Sequence, residues 1–179
     1  MITVYLSHGL ESGPGALKMQ ALKGVVEKLD DCEAVVMDYR DMPEPQTRLE
    51  HLDQTLSARG DNPAECVMAG SSLGGWLSAM VSAQHATRGC FLLAPAIGLP
   101  DYPATSPTLQ AQATHIIHGW QDDIVPPDPV IAFARRQRLS LRLVDDDHRL
   151  HASLPLILDD FDTFLHHCLG AHSYRSQSQ

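Results

Sequence analysis

Read from its first residue, the chain alternates short unbroken apolar runs with stretches whose apolar residues recur every three or four positions. The runs Ile2–Leu6, Ala34–Tyr39, Cys66–Ala69, Cys90–Ala94 and His115–His118 predict β-strands, and Leu139–Val144 predicts a sixth. Unbroken runs suit parallel strands covered on both faces. In the last run Leu139, Leu141 and Leu143 alternate with Ser140 and Arg142, which suits a sheet edge. Between the strands, Leu22, Val25, Val26 and Leu29 fall on one helical stripe, as do Leu73, Trp76, Leu77, Met80 and Val81. Leu49, Leu52 and Leu56 mark a weaker helix, and Ile157, Phe161, Phe164, Leu165 and Cys168 a long final one. Asp128 and Pro129 read as the cap and first residue of a further helix reaching Arg136.

Strand and helix in alternation imply an α/β fold with a mostly parallel sheet and right-handed crossovers. Residues 1–170 read as a single domain and the polar, aperiodic residues 171–179 as a flexible tail. In such a sheet ligands bind beyond the carboxyl ends of the strands. Three such ends carry candidate chemistry.

The first is AGSSLGGWLSAM, residues 69–80, where a strand runs straight into a helix. A reactive serine at so sharp a turn needs small residues two before and two after it. Ser72 has Gly70 and Gly74 there, whereas Ser71 has Ala69 and Leu73. Ser72 is therefore the candidate nucleophile, although a Gly-Ser-Ser turn also serves as an ordinary helix cap. The second end is HGWQDDIVP, residues 118–126, with Asp122 beside Asp123. The third is DDDHRLH, residues 145–151, with His148 after three aspartates and His151 three residues on. Serine, acid and histidine in that chain order, each just after a strand, match one serine-hydrolase arrangement. Asp123, the run Asp145–Asp147 and Asp101 remain alternative acids, and His151 an alternative base.

Composition narrows the field. A formal charge of −9 and the absence of a basic run argue against nucleic acid or an anionic membrane as partner. Cys32, Cys66, Cys90 and Cys168 show no CxxC or metal spacing, so free thiols and a cytoplasmic setting are expected. The first apolar run lacks the charged region and length of a signal peptide, and no stretch approaches membrane-spanning length. His8 and His118 each precede a glycine at a strand end and read as loop braces. His166, His167 and His172 read as solvated helix residues, and Trp120 as either a pocket wall or packing. A phosphate-binding module is the rival class, because GLESGPGALK lies between a strand and a helix. It lacks a Gly-Lys-Ser/Thr ending, and Lys18 stands where a dinucleotide loop has its third small residue. A hydrolase-like protein that binds without catalysing is the other alternative.

Taken together, GSSLGG, HGWQDDIVP and DDDHRL resemble the nucleophile, acid and histidine motifs of the α/β-hydrolase superfamily, and SHGLESGP resembles its oxyanion loop. The resemblance spans residues 2–169 and looks like the short bacterial esterase-like branch without a cap domain. It implies a three-layer sandwich around six parallel strands in spatial order 2-1-3-4-5-6. Carried over, it makes Ser72 the nucleophile, Asp122 the acid, His148 the base, and the N–H groups of Leu10 and Leu73 the oxyanion hole. Leu73 also has a physical reason, since the first N–H of a helix has no intrahelical partner. The implied activity is hydrolysis of a small-molecule ester or thioester through an acyl-enzyme, with no metal or organic cofactor required. A peptidase or C–C hydrolase would use the same residues. Pro95–Ala113, nineteen residues with four prolines, is too short for a cap, so an open, shallow cleft and short-chain preference are expected.

Overall fold

Six strands, β1 (Ile2–Ser7), β2 (Cys32–Val36), β3 (Cys66–Ser71), β4 (Gly89–Leu93), β5 (Thr114–Gly119) and β6 (Ser140–Val144), pair in parallel throughout. Their spatial order is 2-1-3-4-5-6, as expected. The computed structural model describes residues 1–176, with side chains through Gly170. The tail expected over residues 171–179, His172 included, lies outside the residues whose side chains are described.

Strand side chains point alternately to the two faces, and each face is covered. Tyr5, Met68, Leu92 and Ile116 pack with α2 (Pro45–Arg59), α3 (Leu73–Gln84) and α4 (Pro127–Gln137). Val4, Leu6, Val67, Ala69, Phe91 and Ile117 pack with α1 (Leu17–Val26) and α5 (Leu154–Ser176). Two apolar layers around one sheet explain why the central strands read as unbroken apolar runs. β6 lies at the edge, with Ser140 and Arg142 exposed and Leu141 and Leu143 half-buried.

The other strands shift by one or two residues at their ends, and β2 and the fourth helix move for a clear structural reason. β2 is Cys32–Val36 rather than Ala34–Tyr39, because β1 offers partners only as far as Leu6, which pairs with Val36. Met37 N–H then donates to Leu6 O at 2.9 Å, and the chain leaves the sheet. Met37 and Tyr39 are buried all the same, which is what made the run look longer. The fourth helix is capped at Pro126 and begins at Pro127, so Asp128 lies inside its first turn. Pro127 suits that first position, where a missing N–H loses nothing, and Asp128 there favours the helix dipole.

Among the described residues no helix or strand lies between β4 and β5, so no cap domain is built there. The Pro-rich connection instead packs onto α3 and α4. Trp76 Nε1–H donates to Ala104 O at 2.7 Å, and Leu109 N–H to Gln137 Oε1 at 2.8 Å.

The sheet grows one way from β1 to β2 and the other way from β1 to β3. The carboxyl ends of β1 and β3 therefore flank the point where direction reverses, and a crevice forms at such a point. Ser7 closes β1 and Ser71 closes β3, so the loops that follow both strands meet there.

Candidate active site

Ser72 sits between β3 and α3 at φ 56°, ψ −116°, a conformation side chains rarely adopt. Neighbouring backbone holds it there. Ser72 N–H donates to Leu93 O at 2.9 Å, and its carbonyl accepts from Trp76 N–H at 3.1 Å and Ala96 N–H at 3.0 Å. The flanking glycines are required by contact. A Cβ on Gly70 would lie 2.1 Å from Gly74 O, and one on Gly74 would lie 1.9 Å from Ser7 O. Ser71 belongs to β3, pairs with Leu93 and is buried. The turn thus presents Ser72 and encloses Ser71.

The histidine comes from the loop after β6. His148 Nε2 lies 2.9 Å from Ser72 Oγ, and Nδ1 lies 2.7 Å from Asp122 Oδ2. A carboxylate only accepts, so Nδ1 carries the proton and Nε2 is free to accept from the serine hydroxyl. Asp122 Oδ1 accepts from Ile124 N–H at 3.0 Å and Val125 N–H at 2.7 Å. Burial works to raise the Asp122 carboxyl, but the bonds from His148 and Val125 outweigh it and hold it below the usual carboxylate value. It stays ionised and immobile.

The competing acids have other work or none. Asp123 is exposed, as is Asp101 in the connection after β4, and neither bonds to His148. Asp146 accepts from Asp147 N–H and Ser153 N–H, both at 2.8 Å, and Asp147 Oδ1 accepts from Arg149 N–H at 2.9 Å. The aspartate run is thus loop scaffolding around His148, as short polar side chains commonly provide. Asp145 pairs with Gln121. His151 is exposed and lies three residues before α5 begins at Leu154, outside the helix.

Close backbone approach brings the acid and histidine loops together. Trp120 N–H donates to Val144 O at 2.9 Å and Gln121 N–H to Asp146 O at 3.0 Å. A Cβ on Gly119 would fall 2.3 Å from Asp146 O. From the other side Lys18 Nζ donates to Arg149 O at 2.8 Å and ties α1 to the histidine loop. Burial pushes its ammonium down to about 8, against the pull of Asp122, Asp146 and Asp147.

The loop that carries Leu10 follows β1 and runs close to Ser72. A Cβ on Gly9 would sit 3.5 Å from Ser72 Cβ, so the Gly9–Leu10 peptide passes beside the serine. Leu73 opens α3, and its N–H stands at the free end of the helix. A cleft of about 630 Å³ opens over these groups, walled by Leu10, Leu17, Lys18, Leu99, Tyr102 and Ile124. Trp120 is 54 % exposed and not part of that wall.

Residues 2–126 match an uncharacterised protein family (UPF0227). A candidate hydrolase of the alpha/beta superfamily from Xanthomonas campestris pv. campestris is 35% identical, with a TM-score of 0.81 over 93% of this chain and 99% of that one. The chain belongs to both the family and the α/β-hydrolase superfamily. Other solved structures resemble it in fold alone. The ydeN gene product of B. subtilis is 19% identical with TM-score 0.76, covering 92% of this chain and 99% of that one. Est1E from Butyrivibrio proteoclasticus is 17% identical with TM-score 0.75, covering 94% and 88%. No curated protein sequence matches the chain. The matched family region ends before His148, which the tertiary contacts alone bring to Ser72.

Both loop-brace histidines of this α/β hydrolase do brace loops. His8 Nδ1–H donates to Gly9 O at 2.8 Å and its Nε2 accepts from Tyr39 N–H at 3.0 Å. His118 Nε2–H donates to Val125 O at 2.8 Å, behind the Asp122 turn. Burial is the main cause that lowers both imidazoles below their ordinary value of 6.5. The unfolded chain then binds more protons in that range, so stability is complete above 6.5 and is lost as pH falls through the lowered folded values. Melting temperature is expected to decline between about pH 7 and about pH 5. His118→Gln keeps a donor for Val125 O and should flatten part of that decline. An unchanged slope in the variant would remove His118 from the account.

Sequence reasoning missed Arg48. It sits four residues before Leu52 and eight before Leu56, on the buried stripe of α2, and is 2 % exposed. An arginine on an apolar stripe was the available signal.

The described residues include no membrane-length apolar helix and no cluster of three metal-ligating side chains. Burial pushes Cys66, Cys90 and Cys168 up to about 12, and all four cysteines are free.

Proposed function

We propose that the chain is a serine hydrolase that cleaves small carboxylic esters or thioesters through an acyl-enzyme. One observation carries the reading: Ser72 Oγ, His148 and Asp122 form a continuous relay of 2.9 Å and 2.7 Å contacts, starting from a serine on a strained strand-to-helix turn. Each contact lies within the reach that proton transfer requires. As Ser72 Oγ attacks the carbonyl carbon, its proton passes to His148 Nε2. Asp122 accepts from Nδ1–H and stabilises the imidazolium that forms. The carbonyl oxygen gains negative charge, which the N–H groups of Leu10 and Leu73 meet. His148 then protonates the departing alcohol or thiol. Water then attacks the acyl carbon as it gives a proton to His148 Nε2, the bond to Ser72 Oγ breaks, and His148 returns that proton to Oγ as the acid leaves.

Support for short substrates comes from the cleft, which has no cap above it and is about 630 Å³. Leu10, Leu17 and Ile124 are among its exposed apolar residues and suit an uncharged acyl or alcohol group. Est1E has been seen with ferulic acid bound, so aryl esters belong in the substrate screen beside short acyl esters and thioesters. The net charge of −9 favours small-molecule substrates over nucleic acid. Four free thiols support a cytoplasmic site of action.

The test is labelling with a fluorophosphonate and mapping of the adduct by peptide mass. A single adduct on Ser72, absent from Ser72→Ala, is expected. No adduct on folded protein would overturn the reading in favour of a binding module, and an adduct on Ser71 would overturn the assignment.

A further inference from the structure

Arg48 carries a buried positive charge that no carboxylate neutralises among the described residues. Its guanidinium serves three main-chain carbonyls instead. Nε–H donates to Met42 O at 2.6 Å, Nη1–H to Gly9 O at 3.0 Å and Nη2–H to Leu10 O at 3.2 Å. The group also lies over the Tyr39 ring, 5.3 Å from its centroid. Packing alone gives no reason for a cation here. The position continues the Leu52–Leu56 stripe, and a buried ion is often replaced by an apolar side chain of similar size without loss of stability.

We propose that Arg48 is a positioning residue for the oxyanion site, holding the Gly9–Leu10 peptide so that the Leu10 N–H faces the reacting carbonyl. This rests on the ester-hydrolase reading. The argument is geometric. In a planar trans peptide the C=O and the following N–H point in opposite directions. Arg48 draws Gly9 O to its own side, which turns the Leu10 N–H the other way. Gly9 O accepts from His8 Nδ1–H as well, at 2.8 Å. Gly9 itself packs against Ser72, with space for a Cβ only 3.5 Å from Ser72 Cβ.

The guanidinium has donors and no acceptor, so a flipped peptide would set the Leu10 N–H against Arg48 N–H groups. The correct orientation is thereby favoured and the inverted one opposed. A positive charge at the carbonyl end also polarises the peptide and strengthens its N–H as a donor, as linked hydrogen bonds do in a low-dielectric site. Because Nη2 also holds Leu10 O, both peptides that flank Leu10 are pinned by one side chain.

Two variants test this. Arg48→Met keeps the length and packs as the stripe allows. Arg48→Lys keeps the charge but cannot hold two carbonyls with a fork. Each is measured for kcat and KM on a short ester, for affinity toward an alkyl trifluoromethyl ketone, and for melting temperature. The ketone accepts Ser72 Oγ and leaves an oxyanion in the place of the reaction's own, whereas a ground-state product acid does not. Loss of one oxyanion donor lowers kcat by about 10²–10³-fold. Arg48→Met should approach the lower end, with ketone affinity falling by a similar factor and KM and product-acid binding little changed. Arg48→Lys should fall between it and the wild type. Folded variants with kcat and ketone affinity near wild type would overturn the proposal, even where the melting temperature drops. Equal losses in KM and product-acid binding would also overturn it, since that pattern means a general distortion of the cleft. If Arg48→Met does not fold, Arg48→Lys with full kcat and full ketone affinity overturns it. Failure of the parent reading is seen separately, as a wild-type enzyme without a Ser72 adduct.

Discussion

His148→Ala should lower kcat for ester hydrolysis by about 10⁶-fold, the scale seen when a serine hydrolase loses its base. The imidazole is the acceptor within reach of the Ser72 hydroxyl, at 2.9 Å. Without it the attacking oxygen keeps its proton, and a neutral alcohol is a poor nucleophile. Stability should change little. The His148 side chain is partly exposed, and Asp122 retains its bonds from Ile124 and Val125 N–H. Residual turnover of about 10³–10⁴ over the water reaction should persist from oxyanion stabilisation and binding alone. Single-turnover measurements on a short activated ester would check this. A residual rate within about tenfold of wild type would show that another group takes the proton, with His151 first in line.

Asp122→Asn should lower kcat by about 10⁴-fold with little change in KM. The variant's Oδ1 can still accept from Ile124 and Val125 N–H, which leaves the amide NH₂ toward His148 Nδ1. Two donors then face each other, so the imidazole moves its proton to Nε2. That nitrogen can no longer accept from Ser72, and the geometry survives while the tautomer is wrong. Asp123→Asn is the control, because Asp123 is exposed and it is Asp122 that meets His148 Nδ1. A large loss at Asp123 with a small one at Asp122 would reverse the assignment. Imidazole proton signals in NMR spectra of the two variants would show the tautomer change directly.

The opposite end of the sheet holds a natural contrast in residues of the same kinds. At the amino end of the strands, His115 Nδ1 lies 2.8 Å from Ser140 Oγ and Nε2 lies 3.1 Å from Asp160 Oδ2. Arg142 also pairs with Asp160 at 3.3 Å. Serine, histidine and aspartate meet there too, but from β6, β5 and α5, with an exposed serine on the edge strand and no strained turn. What distinguishes the Ser72 group is its place at the crevice between β1 and β3. Residue types alone do not make the site.

Local patterns predicted six strands in an α/β fold and favoured Ser72 over Ser71 as the candidate nucleophile, whereas the strand order and the choice of Asp122 came with the resemblance to the α/β-hydrolase superfamily. Apolar runs, helical stripes and paired glycines act within a few residues, and chain order with right-handed crossovers leaves few ways to assemble them. The end of β2, by contrast, depends on where β1 runs out of partners, and Met37 and Tyr39 are equally apolar in or out of a strand. The start of the fourth helix turned on which of two prolines served as its first residue. Asp146 and Asp147 could not be told from catalytic acids until their carboxylates were found bonded to their own loop. Arg48 is the clearest case. Its meaning depends on carbonyls 38 and 39 residues away in sequence. Periodicity records which side of a helix is buried, but the partner that makes a buried charge acceptable is supplied by the folded chain alone.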